Sequence, residues 1–166
     1  MKPKDTKALI FYFLMSIVLL DFGRQIKVIS FNPHFINLIN NPVFSIEHIF
    51  NTGSAFGMFQ NATLFLSVFA ICVAILLFIF VYKNIKFSDK ALLLSLTLLN
   101  AGTLGNLIER IKLHHVVDYI KLNFINFPIF NMFDVMICTG ITIYIVFVLI
   151  DIEQIKNLFN KNGNSN

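Results

Sequence analysis

The chain has 166 residues, 57% hydrophobic and 13% charged, with a mean hydropathy of +0.75. A soluble domain is about a quarter charged, so this composition excludes an ordinary soluble enzyme and points to an integral membrane protein. The formal charge of +4 gathers at the ends of the apolar runs instead of forming a nucleic-acid footprint, so no nucleic-acid partner is expected.

Met1–Lys7 is a short basic start. Residues 8–29 predict a first membrane helix whose outer third is polar. The run ends in charges and amides, not in the small residues of a signal-peptide cleavage site. Arg24 lies one turn after Asp21, and the two can pair. Residues 30–61 form a polar excursion. Asn-Pro at 32–33 and again at 41–42 predicts turns. Val43–Phe50 alternates in polarity and predicts one or two short strands on the bilayer surface or over the helix ends. In Asn51-Thr52-Gly53-Ser54-Ala55-Phe56-Gly57 the small residues permit close approach to the backbone.

Residues 62–82 carry no charge and give the cleanest span, about 31 Å as a helix. Residues 83–90 form a short basic loop. Residues 91–111 are the third span, polar in its second half. There Gly102 and Gly105 predict close helix contact, and Asn106 and Arg110 share a face. Residues 112–130 form a second outer excursion, with a turn in Asn123–Pro128. Residues 131–150 are the fourth span, with Asp134 in its first turn, and residues 151–166 read as a polar tail that frays. Cys72 and Cys138 fall inside apolar runs and read as small packed thiols. The fold class is an all-α polytopic membrane protein with four transmembrane helices in a single domain, 1–166. Lysines concentrate at the termini and the 83–90 loop. By the positive-inside tendency these are cytoplasmic, and the two excursions lie outside.

The chemistry comes down to two carboxylates. No Ser or Cys stands with a His in a nucleophile-like setting. His114-His115 lacks a third ligand, so no metal and no cofactor are expected. His34 and His48 read as isolated surface groups. Asp118 and Asp134 remain, and a carboxylate at depth in a bilayer costs about 2.5–3.5 kcal/mol. Two carboxylates brought together in a low dielectric share a proton. The charged partner then activates a water and the neutral one protonates a leaving group, as peptide hydrolysis requires. Asn131, one turn before Asp134, can orient a carboxylate or the substrate backbone. Arg110 can hold a carboxylate or carbonyl, and Asn51 and Asn106 can offer amides to an extended peptide. Two other readings stay open on spacing alone. In one, Asp118 caps a surface helix and Asp134 caps the fourth span. In the other, a small proton-coupled transporter uses the two aspartates as a relay.

Four ordered segments carry a family resemblance: Asn51-Thr52-Gly53-Ser54-Ala55-Phe56, Gly105-Asn106-Leu107-Ile108-Glu109-Arg110, Val116-Val117-Asp118-Tyr119-Ile120 and Phe127-Pro128-Ile129-Phe130-Asn131-Met132-Phe133-Asp134. Together with Asp21 they resemble the motif set of lipoprotein signal peptidase (signal peptidase II). The resemblance implies that Asp118 and Asp134 are a catalytic dyad and that Asn51, Gly53, Asn106, Arg110 and Asn131 line the substrate site, with Asp21 in support. It implies removal of the signal peptide from a diacylglyceryl-modified prolipoprotein, on the amino side of the lipidated cysteine. It also implies contact with membrane lipid, binding of a globomycin-type inhibitor, and a bacterial cytoplasmic (inner) membrane location with the site at the outer face. A monomer suffices. A small extracytoplasmic β-cradle and a short surface helix, the latter in the outer connection over the site, complete the expected fold. The chain departs from the family pattern at Phe22, Gln25, Ala101, Thr103, Glu109 and Phe133.

Overall fold

In chain order the protein forms α1 (Thr6–Ser30), α2 (Pro33–Ile39), β1 (Phe44–Asn51), α3 (Thr63–Asn84), α4 (Lys90–Leu113), β2 (Val116–Leu122) and α5 (Met132–Gly163). This is a computed structural model; it describes residues 4–54 and 58–163, with side chains of α5 as far as Ile152. Ala55 and Phe56 of the first resemblance segment lie outside the described residues. Helices α1, α3, α4 and α5 are long and apolar enough to cross a membrane. With the two-stranded sheet they make the expected fold class. Helix α5 runs past the expected span end at residue 150 to Gly163, and residues 164–166 of the tail lie outside the described residues.

Asp5 starts α1. Its Oδ1 accepts the N–H groups of Lys7 and Ala8 at 2.9 and 3.2 Å, satisfying two of the orphan donors of the first turn. Its Oδ2 accepts the Phe87 N–H at 2.8 Å, so the chain start and the loop after α3 meet at one end of the bundle. At the other end Asn32 caps α2, with Pro33 at the first helical position. The first Asn-Pro pair, expected as a turn, therefore opens a two-turn helix.

Helix α4 is the axis, packed against α1, α3 and α5. The contact expected at Gly102 and Gly105 is present. A Cβ at Gly102 would stand 2.5 Å from the Phe133 carbonyl oxygen, and one at Gly105 would stand 2.3 Å from the Phe133 ring. Buried hydrogen bonds cross the bundle from Asn100 Nδ2 to Ser16 Oγ (3.1 Å) and from Ser95 Oγ to the Gly140 carbonyl (2.9 Å). In lipid, small residues and internal polar links hold helices together because burying apolar surface gains little. Cys72 and Cys138 are exposed on α3 and α5, which corrects the expectation of packed thiols: these faces of the two helices point away from the rest of the bundle.

The connection after α4, where the resemblance implies a surface helix, forms β2 instead, and a short helix lies in the first excursion as α2. β1 and β2 pair antiparallel from Phe44↔Leu122 to Asn51↔Val116, with a register shift between Ile46 and Ile49. Glu47 and His48 thus face the single residue Tyr119, which is a β-bulge. Phe130 adds a further bridge to Ile120.

Candidate active site

The bulge decides which side chains meet. Side chains alternate faces along a strand, so a one-residue slip moves a side chain to the opposite face. Without the extra residue, Asn51 would stand on the face away from Asp118. With it, Asn51 stands opposite Val116, two residues from Asp118 on the same face. Asn51 Nδ2 donates to Asp118 Oδ2 at 2.9 Å. Asp118 is 4% exposed.

Asn131 caps α5. Its Oδ1 accepts the N–H groups of Phe133 (2.7 Å) and Asp134 (3.1 Å), and its own N–H donates to Asp134 Oδ2 at 3.0 Å. This reciprocal exchange is a capping box with Asp in the place of the usual Glu. The Asn131 Nδ2 donates in two directions, to Asp118 Oδ1 at 2.7 Å and to Asn106 Oδ1 at 3.2 Å. Asn106 Nδ2 in turn donates to Asp134 Oδ1 at 2.8 Å. Both carboxylates are therefore bonded to one residue, Asn131, and every donor and acceptor site of its side chain is used. The capping alternative is half realised: Asp134 does close the first turn of α5, whereas Asp118 lies in a strand and caps nothing.

Arg110 Nη2 donates to the Gly53 carbonyl at 2.8 Å, and its buried Nε has no protein partner. The Gly53 N–H donates to Asn51 Oδ1 at 2.9 Å. A Cβ at Gly53 would meet the Met58 carbonyl oxygen at 2.4 Å, so only glycine fits the turn. Asn51, Gly53, Asn106, Arg110, Asp118, Asn131 and Asp134 thus converge on one end of the bundle, away from the chain start. Asp21 is not brought into this network. It pairs with Arg24 at 2.9 Å, both side chains more than half exposed, and lines a groove of about 430 Å³ whose apolar wall is Leu20, Ile108, Leu113 and Phe133 and whose charged wall includes Arg24, Lys27, Glu109 and Lys112.

Burial pushes the Asp118 carboxyl up to about 6. The hydrogen bonds from Asn51 and Asn131 oppose that rise, and the negative charges of Asp134 and Glu109 add to it. Among the described residues no cation forms an ion pair with either aspartate.

Two groups escape a reading of the sequence. Glu109 is buried and paired with Lys27 at 2.7 Å. Nothing in their spacing joins α1 to α4; a charge on each helix at the same end of the bundle is the only signal. His48, expected at the surface, is half-buried: its ring stacks on Phe31 at 3.9 Å. Ser30 Oγ donates to the Lys27 carbonyl, so His48 donates from Nε2 to Ser30 Oγ at 3.0 Å. The bulge turns His48 in toward α1. His114 ends α4 in a left-handed conformation, and His115 packs on Phe50.

Residues 13–150 match the family described as signal peptidase (SPase) II. A lipoprotein signal peptidase of Enterococcus faecalis is 30% identical over 171 residues, covering 95% of this chain and 98% of its own length. One of Clostridium tetani is 41% identical over 109 residues, 64% of this chain and 69% of its own. Among solved structures, a bacterial membrane enzyme determined by the in meso method at 2.3 Å is similar with a TM-score of 0.79 and 26% identity, over 93% of this chain and 95% of that one. A second, determined at 1.9 Å, gives 0.70 and 25%, over 90% and 97%. With four membrane helices, a small sheet and a match that runs from α1 into α5, this chain is a membrane peptidase belonging to the signal peptidase II family.

Proposed function

We propose that the chain, a single membrane domain, removes the signal peptide from diacylglyceryl-modified prolipoproteins. It hydrolyses the peptide bond on the amino side of the lipidated cysteine, with Asp118 and Asp134 as the catalytic dyad. The observation that carries this reading is that two carboxylates from separate elements, β2 and α5, hang on the same asparagine at one end of the bundle. One carboxylate takes a proton from a water held between the pair, and that water attacks the carbonyl. The other donates its proton to the carbonyl oxygen, giving a gem-diol; the proton taken from water then passes to the leaving amine as the C–N bond breaks, and a gem-diol hydroxyl returns its proton to the second carboxylate. The titration belongs to the pair. Burial of Asp118 favours the form that keeps a proton near neutral pH. Arg110, with a free Nε, and the amides of Asn51 and Asn106 are placed to hold the extended peptide, while Gly53 lets its backbone come close.

The apolar wall of the groove, along Leu20, Ile108, Leu113 and Phe133, takes the acyl chains, at about 0.8 kcal/mol for each methylene kept in apolar surroundings. Asp21 supports the reaction from the wall of that groove and not from the dyad. A globomycin-type inhibitor competes for the same site. Both termini are cytoplasmic and the dyad lies at the outer face of the bacterial inner membrane, where the protein works as a monomer. A proton relay has no observation in its favour, because the two carboxylates lie at one end and not along the span.

The test is Asp118→Asn and Asp134→Asn, assayed on a lipidated prolipoprotein peptide. Each is expected to lower turnover by about 10²–10⁴-fold while the protein stays folded. Near-normal turnover in either variant removes the dyad.

A further inference from the structure

The catalytic reading leaves one buried charge pair without a role. Glu109 is 6% exposed. Its Oε1 accepts from Lys27 Nζ at 2.7 Å, and its Oε2 accepts the backbone N–H of Val117 at 2.9 Å. Val117 directly precedes Asp118. One carboxylate on α4 thus grips the last turn of α1 with one oxygen and the strand that carries Asp118 with the other. The carbonyl of the same Lys27 receives Ser30 Oγ, which in turn receives His48 from the bulge of β1. Both strands are tied to one turn of α1.

A two-stranded sheet is marginal by itself, yet the Asp118 carboxyl must be held to a fraction of an ångström for its proton transfers to be productive. A charge-assisted hydrogen bond to the preceding amide is a stiff anchor for such a strand. We propose that Glu109, clamped by Lys27, is the positioning residue for Asp118: it fixes the Val117–Asp118 segment from outside the sheet and so aims the carboxyl at Asn131 and Asp134. The catalytic part of this inference rests on the dyad reading; the anchoring part does not.

Glu109→Gln keeps an oxygen to accept the Val117 N–H, whereas Glu109→Ala removes it. Lys27→Gln leaves Glu109 in place without its clamp. Amide hydrogen exchange at Val117, measured on the whole protein in detergent, is expected to rise about tenfold in Glu109→Ala, which leaves the N–H without an acceptor, and by less in Glu109→Gln and Lys27→Gln, which keep the acceptor but lose the clamp. On lipidated prolipoprotein peptide, kcat is expected to fall about 10²-fold in Glu109→Ala with KM nearly unchanged, and to be largely retained in Glu109→Gln. If Glu109→Ala does not fold, Lys27→Gln carries the same comparison. Wild-type Val117 exchange in the alanine and lysine variants, or equal loss of kcat in Glu109→Gln and Glu109→Ala, overturns the proposal. A wild-type protein that cleaves nothing brings down the dyad reading instead; the exchange rates, which need no turnover, still decide whether Glu109 holds the strand.

Discussion

Helices α3 and α4 are neighbours of similar length and opposite design. Helix α3 is much the more hydropathic of the two. In water the more apolar helix would be buried, but here the order is reversed. Helix α3 buries only Ser67, Ala70 and Val81, and leaves Leu64 and Leu76 80% and 65% exposed. Helix α4 buries Ser95, Thr97, Asn100, Gly102, Gly105, Asn106 and Glu109 among others. Lipid tails solvate leucine as well as another helix does, so apolar content does not choose the interior. Small and polar groups choose it, because they allow close packing and need partners that lipid cannot supply. The helix that reads least like a membrane span is therefore the axis, and it delivers Asn106, Glu109 and Arg110 to the site.

The contrast can be broken first at the glycines of α4. Phe133, a departure from the family pattern, puts its ring into a notch made by Gly23 and Gly105, where a Cβ would come within 2.4 and 2.3 Å of it. Phe133→Ala is expected to cost about 3 kcal/mol of stability in detergent, as emptied aromatic sites do. Gly105→Ala should cost about 1–3 kcal/mol by overpacking. Combined with Phe133→Ala, however, Gly105→Ala should cost almost nothing further, because the ring it meets is gone. Gly102→Ala has no such rescue, since the nearest atom to its added methyl is the Phe133 carbonyl oxygen, which Phe133→Ala leaves in place. Unfolding midpoints of these single and double variants decide the matter; equal rescue at both glycines would mean that the helices shift freely instead of meeting at fixed points.

These particular residues also show what a sequence reader can and cannot see. The four spans are legible because long apolar runs with few charges rarely occur outside membranes. Gly102 and Gly105 are legible as contacts by their size, but their partner is not. Asp118 and Asp134 stand out because carboxylates are costly in so apolar a chain. Their meeting on Asn131 depends on a bulge at Glu47–His48, and no local pattern in Val43–Phe50 marks where the extra residue falls. The same bulge draws His48 inward. The Lys27–Glu109 pair joins residues 82 apart in sequence, so periodicity along one helix cannot reveal it. β2 is hidden because the implied surface helix claims the same connection, although Val116, Val117, Tyr119 and Ile120 are good strand formers.

The site end of α4 should differ from α3 in its response to pH as well. Burial raises the Asp118 carboxyl to about 6 in the folded protein, against an ordinary value of 3.8. The folded state then binds a proton that the unfolded chain has already released. Its contribution to stability is complete below about 4 and is lost as pH rises through 6. Between pH 5 and pH 7.5 the wild type should lose on the order of 1 kcal/mol from this group, and Asp118→Asn should lack that part of the slope. Thermal unfolding of the two proteins at both pH values checks it. Parallel slopes would place Asp118 in a wetter setting than its 4% exposure implies.

The smallest effect is the most direct measure of the comparison itself. Leu76 on α3 is 65% exposed and Leu96 on α4 is 3% exposed. Leu96→Ala should cost about 2 kcal/mol or more, because it opens a void between helices that nothing fills. Leu76→Ala should stay within about 0.5 kcal/mol. In water the second figure would be expected because solvent already touches the side chain; in a bilayer the reason is that lipid fills the space the leucine leaves. The two reasons separate when α3 is tested against short-chain and long-chain detergents. A Leu76→Ala cost that stays small in both supports lipid as the partner of that face. A cost that approaches that of Leu96→Ala would mean that α3 packs on protein outside this chain, and the outward face would then be an interface instead of a solvent boundary.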